Sequence, residues 1–352
     1  MRRTIPVTAR AVTVAAVIGM VTVGCGKKGG TDGGGENVKL QGAGASFPAL
    51  LYNQWFKDYK AAKPNITVDY QSTGSGAGVK AVTDGTVDFG ASDSAMSKEE
   101  IEKVARGVIL LPMTAGKVVL AFNIEGVTEL KLSREAYVGI FLGKITKWND
   151  PAITKSNPGV SLPDKTINVV VRSDSSGTSY VFTKHLSAIN ADFAKSPGTN
   201  KAPNWPVGIK SKGSEGVTAS LKTTPGSIGY VEYGYAKTTG IPMASLENKD
   251  GAFVAPTVAS GKASLATATL PDDLVAWIPD PSGKESYPIV TFTWMILYKK
   301  YEDQKKLDAL KELILYCLDK GQASSEELGY IPLPANVVEK VKAALGGMTI
   351  GK

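Results

Sequence analysis

Hydroxyl residues and an arginine cluster where one apolar segment of the chain stops. The β-branched run Val169–Val171 is followed by Arg172 and by the polar stretch Ser173–Ser179 around one glycine, and a helical pattern then begins at Tyr180. This order predicts a strand, a tight turn and a helix N-terminus, whose free N–H groups and partial positive charge attract anions. The arginine and hydroxyls add donors suited to a tetrahedral oxyanion. One such turn is equally compatible with a capped helix and a solvated arginine.

Two further Gly- and Ser-rich turns have the same order of strand, turn and helix. Gly42–Pro48 follows the strand-like Val38–Leu40, and Pro48 suits a first helical turn because it has no N–H to leave unpaired. Ser72–Val79 follows the strand-like Ile66–Tyr70 in the same way. Glycines in such turns let backbone amides approach a ligand closely. Three turns of this kind favour an oxyanion site over three unrelated helix caps.

An acidic residue, Asp93, follows a fourth short strand and precedes the capping-box pattern Ser97–Glu100. Ligands of open α/β sheets bind at the carboxyl ends of the strands, so Asp93 is expected beside the other turns. A carboxylate accepts a hydrogen bond from a protonated anion such as hydrogen phosphate, whereas sulfate has no proton to donate and would meet a like charge. Arg172 would balance the negative charge. The alternative is an ordinary turn aspartate.

The elements that must position these turns alternate between strands and helices, so the sequence predicts an α/β fold. Two apolar runs, Lys117–Asn123 and Thr291–Tyr298, are expected to cross between domains, and 352 residues suffice for two hydrophobic cores. Near the C-terminus, Lys320-Gly321 predicts the end of a helix with a left-handed cap at the glycine.

Composition excludes several classes of function. The net charge is +7, and three arginines lie within the first 25 residues, which leaves 37 basic against 33 acidic residues. No basic stripe with interleaved aromatics is present, so nucleic acid is not an expected partner. One histidine, His185, and two cysteines exclude a Cys/His zinc site and histidine-based metalloprotease motifs, and we expect no metal and no cofactor. His185 is expected to have a surface or structural role, and Cys317 to lie in the core.

The N-terminus has the features of an export signal. The pair Arg2-Arg3 lies ahead of the apolar run Ala11–Val23, which is shorter than a typical membrane-spanning helix. The run ends in Val21–Cys25, which is similar to a bacterial lipoprotein cleavage site, so Cys25 is expected to become the lipidated first residue of the mature protein. Cleavage by the ordinary signal peptidase is the alternative. Gly29–Glu36 is expected to be a flexible tether.

The four turns resemble those of the periplasmic phosphate-binding proteins that serve bacterial phosphate ABC importers. Matching stretches run in the same order from Gly42 to the C-terminus. They are Gly-Ala-Gly-Ala-Ser-Phe-Pro at 42–48, Val-Asp-Phe-Gly-Ala-Ser-Asp at 87–93, Gly-Lys-Ile-Thr-Lys-Trp-Asn-Asp at 143–150, Ser-Gly-Thr-Ser at 176–179, Pro-Gly-Ser-Ile-Gly-Tyr-Val-Glu-Tyr at 225–233 and Tyr-Ile-Pro-Leu-Pro at 330–334.

The resemblance implies a fold and a division of the chain. The fold would be the type II periplasmic binding protein fold, an α/β fold with two lobes, two hinge strands and the ligand in the cleft between the lobes. A signal peptide with a lipoprotein cleavage site would cover residues 1–25 and a tether residues 26–37. Residues 38–117 with 297–352 would form the first lobe, and 118–296 the second.

The resemblance also implies which residues bind the anion. Asp93 would accept the proton of phosphate, Arg172 would make the charged contact, and Asp174 would orient that arginine. Ser175 stands where a glycine is often found and would be strained if the position needs a positive φ. The implied phosphate contacts are Ser46, Phe47, Ser75, Asp93, Arg172, Ser176, Gly177 and Thr178.

The implied function is that of a monomeric, non-enzymatic receptor. It would sit in the periplasm on a lipid anchor and deliver phosphate to ABC permease subunits with their ATPase. Two other functions stay open. Ser176 or Ser46 could act with His185 as nucleophile and base of a secreted esterase or phosphatase, although a separation of nine positions does not place Ser176 and His185 at one end of a helix. A surface adhesion or sensory module that retains the binding fold is the third function.

Overall fold

Strands and helices alternate along residues 36–351, the part of the chain that this computed structural model describes. The predicted α/β class is confirmed. The predicted signal peptide, Cys25 and nearly all of the tether lie outside the described residues. The strands are β1 (Val38–Gly44), β2 (Ile66–Ser72), β3 (Phe89–Ser92), β4 (Val108–Asn123), β5 (Lys131–Leu132), β6 (Asn168–Arg172), β7 (Ile209–Ser211), β8 (Ser227–Glu232), β9 (Ser245–Glu247), β10 (Phe253–Val254), β11 (Val290–Tyr298), β12 (Lys300–Tyr301) and β13 (Thr349–Ile350).

The helices pack against these strands and cover most of their apolar side chains. Two short 3-10 helices, Gly321–Ser324 and Leu345–Gly347, come directly after or one residue after the last two α-helices. The α-helices are α1 (Ala49–Ala62), α2 (Ser75–Thr83), α3 (Lys98–Glu102), α4 (Arg134–Phe141), α5 (Pro151–Thr154), α6 (Gly177–Ile189), α7 (Ala191–Lys195), α8 (Gly213–Thr223), α9 (Tyr233–Thr239), α10 (Val258–Leu265), α11 (Gln304–Asp319) and α12 (Ala335–Ala344). Within the described residues, no helix is long and apolar enough to span a membrane.

One mixed sheet runs through both halves of the fold, with strand order β2-β1-β3-β11-β4-β8-β6-β7. The 16-residue strand β4 changes partner along its length, because residues up to Lys117 pair with β11 and Val118–Asn123 pair with β8. We call the strands from β2 to the first part of β4 the first half of the sheet, and the rest the second half. Strand β11 pairs with β3 and β4 in the first half from Val290 onward. The predicted lobe boundaries, 38–117 with 297–352 and 118–296, stay a prediction.

Parallel pairing gathers the predicted turns at two sheet edges. In the first half β1 is parallel to β2 and to β3, and in the second half β6 is parallel to β7 and β8. Because β1, β2, β3, β6, β7 and β8 each lead into a helix, six strand-to-helix turns lie at the carboxyl ends of the strands.

Helix α1 shows how local pattern and distant packing combine. Its apolar face, which includes Leu51, Trp55 and Tyr59, is buried, and the Trp55 indole N–H donates to the carbonyl of Gly321 at 2.6 Å. Helix α11 ends before Lys320 as predicted, but the left-handed cap at Gly321 is wrong, because Gly321 begins a 3-10 helix and its φ is not positive. A Cβ at Gly321 would lie 2.7 Å from Trp55 Nε1, so close packing accounts for this glycine.

Candidate functional site

Arg172, the last residue of β6, lies inside the protein with 5% of its surface exposed. Its Nε donates to Asp174 Oδ1 at 2.8 Å, and its Nη2 donates to Asp174 Oδ2 at 2.5 Å. Its remaining nitrogen, Nη1, donates to Thr178 Oγ1 at 3.4 Å. A guanidinium held by two bonds to one carboxylate keeps a fixed plane. This is the contact that the predicted orienting role of Asp174 requires.

Asp93 is 1% exposed and lies just beyond the end of β3. One carboxylate oxygen, Oδ1, accepts a hydrogen bond from Thr293 Oγ1 at 2.9 Å. The other, Oδ2, accepts a longer one from Thr178 Oγ1 at 3.3 Å. Thr178 therefore stands between the carboxylate of the first half and the guanidinium of Arg172 in the second.

The pKa values of this cluster follow from burial and pairing. Burial raises the pKa of Asp93 to about 7, because desolvation outweighs the hydrogen bond from Thr293 and the positive charge of Arg172. Burial also disfavours the charged form of Arg172, but its hydrogen bonds to Asp174 raise its pKa. For Asp174, burial is outweighed by the hydrogen bonds from Arg172, which lower its pKa. Arg172 and Asp174 are therefore a charged pair, whereas Asp93 exchanges its proton near neutral pH.

The N-terminus of α6 lies against the Asp93 turn. Ser176 is the N-cap of α6, and its Oγ accepts from the backbone N–H of Ser179 at 3.1 Å. The next residue, Gly177, has no room for a side chain, because a Cβ there would lie 2.4 Å from Ser75 Oγ and 2.8 Å from Asp93 N. Ser75 Oγ itself accepts from the backbone N–H of Asp93 at 3.3 Å. A helix N-terminus thus approaches the carboxylate and favours its charged form.

Ser46 lies at a neighbouring point of the same cluster. Its Oγ accepts from the backbone N–H of Ser214 at 3.1 Å and lies 2.9 Å from Ser214 Oγ. The adjacent Gly213 N–H donates to Asp174 Oδ1 at 3.0 Å. The predicted residue Phe47 is fully buried, and its carbonyl accepts from the hydroxyl of Tyr330 at 2.6 Å. Ser46 is therefore connected to Arg172 through the start of α8.

Contacts between the two halves surround this cluster. The backbone N–H of Gly76 donates to the carbonyl of Ser175 at 2.9 Å. Ser175 does not have a positive φ, so the strain considered for this position is absent. At one flank, Lys201 Nζ lies 2.8 Å from Glu100 Oε1 in a partly buried ion pair. The turns of both halves therefore meet, as a ligand held from two sides requires.

Two contributors were missed by the sequence analysis. Thr293 comes from β11, about 200 positions from the aspartate that it contacts, and no local pattern marks it. The start of α8 is different, since Ile209–Ser211 followed by Gly213-Ser214-Glu215-Gly216 is a fifth strand followed by a Gly/Ser turn. The pattern that predicts the other turns, a strand followed by a Gly/Ser turn, also predicts this one.

His185 is part of the second-half core and has no free ring nitrogen for Ser176. Its Nδ1 lies 2.6 Å from the carbonyl of Pro279, so Nδ1 carries the hydrogen, and Nε2 accepts from the Tyr137 hydroxyl at 2.9 Å. The expected structural role of His185 is confirmed. Cys317 is a buried free cysteine, as predicted.

We expect His185→Gln to reduce the loss of unfolding free energy that occurs as the pH falls below 7. Burial lowers the pKa of His185 to about 4, whereas the unfolded chain protonates it near 6.5, so stability is lost as the pH falls between these values. Between pH 7 and pH 5 this amounts to about 2 kcal/mol in the wild type. Urea unfolding of both proteins at the two pH values measures the difference, and an equal loss in the variant would contradict it.

The cluster can hold a tetrahedral anion without a metal. It offers helix N-termini, backbone amides, hydroxyls and one oriented guanidinium, which are donors to anions, and one carboxylate, which is an acceptor. Among residues 36–351 there is no group of His, Cys, Asp and Glu arranged to bind a metal ion. An anion with its own proton satisfies both the donors and the acceptor.

Comparison with known proteins gives the family. A family model described as a PBP superfamily domain matches residues 29–320. The phosphate-binding protein PstS of Xylella fastidiosa (strain Temecula1) is 37% identical over 88% of this chain and 85% of its own. That of Pasteurella multocida (strain Pm70) is 39% identical over 86% of this chain and 89% of its own.

A solved structure shows the same fold. It is that of a high-affinity periplasmic phosphate-binding protein bound with phosphate, which superposes with a TM-score of 0.71 at 23% identity and covers 87% of this chain and 94% of its own. This similarity confirms the predicted two-lobed periplasmic binding protein fold. By the match of the family model and by the identity to its relatives, this chain belongs to the PBP superfamily and, within it, to the PstS phosphate-binding proteins.

Proposed function

We propose that this protein binds inorganic phosphate in the cluster around Asp93 and Arg172 and delivers it to an ABC-type import permease. The observation that carries the proposal is the buried Asp93, an acceptor placed among donors from both halves of the sheet. The names of the relatives, which are phosphate-binding proteins, support the same ligand. The phosphate contacts that we propose are Ser46, Phe47, Ser75, Asp93, Arg172, Ser176, Gly177 and Thr178.

The energetics of such a site are sufficient without a cofactor. Micromolar binding requires about 8 kcal/mol of free energy. A charge-assisted hydrogen bond contributes roughly 1.5–3 kcal/mol, and a helix N-terminus adds up to about 2 kcal/mol in a partly buried site. Several such contacts from the two halves exceed the requirement and leave a surplus to offset the loss of mobility on binding.

Asp93 gives the site its selectivity in this proposal. An ionised Asp93 accepts the P–OH hydrogen of hydrogen phosphate, while Arg172 and the hydroxyls donate to the other oxygens. Sulfate, fully ionised at neutral pH, has no proton to donate to the buried carboxylate and would add a like charge beside it. Phosphate is therefore bound and sulfate is excluded.

Equilibrium binding tests this function. Labelled phosphate is titrated into the purified protein at pH 8, where Asp93 is ionised, with sulfate as competitor. We expect phosphate to bind at micromolar or lower concentration and sulfate to compete at least about a hundredfold less well, since the unmet carboxylate costs roughly 3 kcal/mol. Equal competition by the two anions would contradict the proposal.

No observation in the structure favours the esterase or phosphatase alternative. Its base would be His185, whose two ring nitrogens are hydrogen-bonded to the Tyr137 hydroxyl and the Pro279 carbonyl. A binding protein needs no nucleophile, and the hydroxyl of Ser176 acts as a helix cap. In the proposed function, the protein therefore binds phosphate and releases it chemically unchanged.

The proposal includes a location outside the cytoplasm and a lipid anchor at Cys25. Its support is the sequence, in which a short apolar run ends in a cleavage-site pattern before a Gly-rich segment. We expect Cys25→Ser to abolish incorporation of labelled palmitate in cells and to release the protein from the membrane fraction. Cys317→Ala is the control and keeps the label. Labelled lipid on the Cys25→Ser protein would contradict this part of the proposal.

A further inference from the structure

We propose that Thr293 is a specificity-determining positioning residue, which holds the Asp93 carboxylate in its accepting, ionised form and thereby sets the pH below which the protein admits sulfate. The inference rests on the proposed function and deepens it. It begins from a contact between two residues that are 200 positions apart in the chain.

The register of the sheet places these two side chains opposite each other. In the antiparallel pair β11–β3, Trp294 is aligned with Ser92 and Met295 with Ala91. One further step along both strands brings Thr293 opposite Asp93. Cross-strand neighbours on one face of a sheet interact directly, and here the hydroxyl donates to Asp93 Oδ1 at 2.9 Å.

A register shift in the neighbouring strand pair lies at the same point. Thr293 is aligned with Thr114 of β4, but Trp294 is aligned with Pro112, so β4 carries one extra residue here. Proline has no N–H for the ladder and is typical of such irregularities. Irregularities of this kind redirect side chains and occur beside functional sites. The backbone of β4 and β11 thus fixes the position from which Thr293 donates.

The hydroxyl acts on the charge of Asp93. Thr293 is fully buried and makes the shorter of the two hydroxyl bonds to this carboxylate, since Thr178 lies 3.3 Å away. A hydrogen bond donated to a carboxylate favours its ionised form and opposes the effect of burial. Removing the hydroxyl while keeping the side-chain shape should therefore make Asp93 easier to protonate.

The other groups that act on Asp93 do not titrate in the same range. Arg172 and Asp174 form a charged pair, and three buried tyrosines from other elements have pKa values raised well above 10 by burial. Those tyrosines are Tyr52, Tyr70 and Tyr330. Phosphate itself and the buried pair Lys117 and Glu232 also titrate between pH 5 and pH 9, but they do so in the wild type and in Thr293→Val alike. The difference in sulfate competition between these two proteins therefore reports the proton on Asp93.

The consequence for ligands follows from hydrogen-bond chemistry. A protonated Asp93 becomes a donor and can satisfy a sulfate oxygen, so the exclusion of sulfate is lost as the pH falls. Sulfate itself carries no proton across this range. The wild type should begin to bind sulfate near the pKa of Asp93, which is about 7. Thr293→Val should show the same behaviour at a higher pH.

Sulfate competition against labelled phosphate from pH 5 to pH 9 tests the inference. We expect the midpoint of sulfate exclusion to rise by about one pH unit in Thr293→Val, a tenfold change in the ionisation constant of the carboxyl. Thr293→Ser keeps the hydroxyl and should keep the wild-type midpoint. Thr291→Val is the matched control, because Thr291 lies on the same strand, is buried, and donates to the carbonyl of Phe292.

The outcomes separate this inference from the proposed function. If the wild type binds no phosphate, the proposed function fails. If the wild type binds phosphate but Thr293→Val has the wild-type midpoint, or sulfate stays excluded from both proteins down to pH 5, the inference is overturned alone. If Thr291→Val shifts the midpoint as much as Thr293→Val does, the inference is also overturned. Thr293→Ala, which removes the hydroxyl without adding a methyl group, replaces Thr293→Val if the latter does not fold.

Discussion

Arg172→Met is expected to weaken phosphate binding by about a thousandfold or more. The substitution removes the oriented guanidinium and leaves Asp174, whose side chain is 11% exposed, without its partner. Breaking a buried pair by removing one member costs roughly 3–5 kcal/mol, and the anion then faces two carboxylates with no cation nearby. A loss of about 4 kcal/mol in binding corresponds to the thousandfold change. Calorimetric titration with phosphate measures it.

A second arginine provides a matched control. Arg134 donates to Asp280 through two nitrogens, both at 2.9 Å, in a partly buried pair outside the proposed site. Arg134→Met should lower the free energy of unfolding while it leaves the affinity for phosphate within about twofold. If both substitutions weaken binding equally, the loss reflects stability, and the contact between Arg172 and phosphate is contradicted.

Asp93→Asn is expected to lower the preference for phosphate over sulfate by about a hundredfold. An asparagine amide donates through its NH2 group, so it can bond to a sulfate oxygen, and it has no charge to repel the anion. Sulfate gains affinity, while phosphate loses a charge-assisted bond of roughly 1.5–3 kcal/mol. Competition titration at pH 8 gives the ratio of the two dissociation constants.

The control for this variant is Asp88→Asn. Asp88 lies five residues earlier in the chain, accepts from the backbone N–H of Gln41 at 2.8 Å, and pairs with Lys306 at 2.9 Å. It is placed before β3, away from the Asp93 end of that strand. We expect its substitution to preserve the ratio of dissociation constants. An unchanged ratio in Asp93→Asn would show that the buried carboxylate does not determine selectivity.

The only cation among the proposed phosphate contacts, Arg172, has its charge balanced within the site. Arg172 is balanced by Asp174, so the guanidinium provides geometry and local donors rather than a net positive charge. Asp93 adds a further proton acceptor, and the remaining donors are neutral hydroxyls and helix N-termini. Neutral donors hold a doubly charged anion without creating a site that binds every anion equally. The selectivity for phosphate over sulfate then depends on the protonation state of Asp93.

The strand-to-helix turns could be predicted because their signals are local. A β-branched run, a Gly/Ser turn and a helical pattern lie within about a dozen residues at Val169–Phe182, and the same is true around Ser46 and Ser75. The carboxyl-end rule for parallel strands then placed these turns together. The capping box at Ser97 and Glu100 was read correctly for the same reason, since both of its hydrogen bonds are made within four residues.

The remaining contacts depend on pairing that no local pattern contains. The bond between Thr293 and Asp93 exists because β11 returns beside β3 in one register, and a shift of one residue would turn the threonine to the other face. The predicted left-handed cap at Gly321 was wrong for a similar reason. The Lys-Gly pair matched a helix cap, but the glycine is accounted for by a tryptophan ring from α1. Long-range packing decides such positions.

A crystal structure of the protein with phosphate, grown at pH 8, would show whether Asp93 accepts a hydrogen bond from the bound anion. The quantity to measure is the distance between the nearer Asp93 carboxylate oxygen and a phosphate oxygen. We expect about 2.5–2.7 Å, the range for an O–H group that donates to a carboxylate, with Arg172 bonded to another oxygen of the same ion. Phosphate bound elsewhere, or separated from Asp93 by a water molecule, would contradict direct recognition of the anion by Asp93.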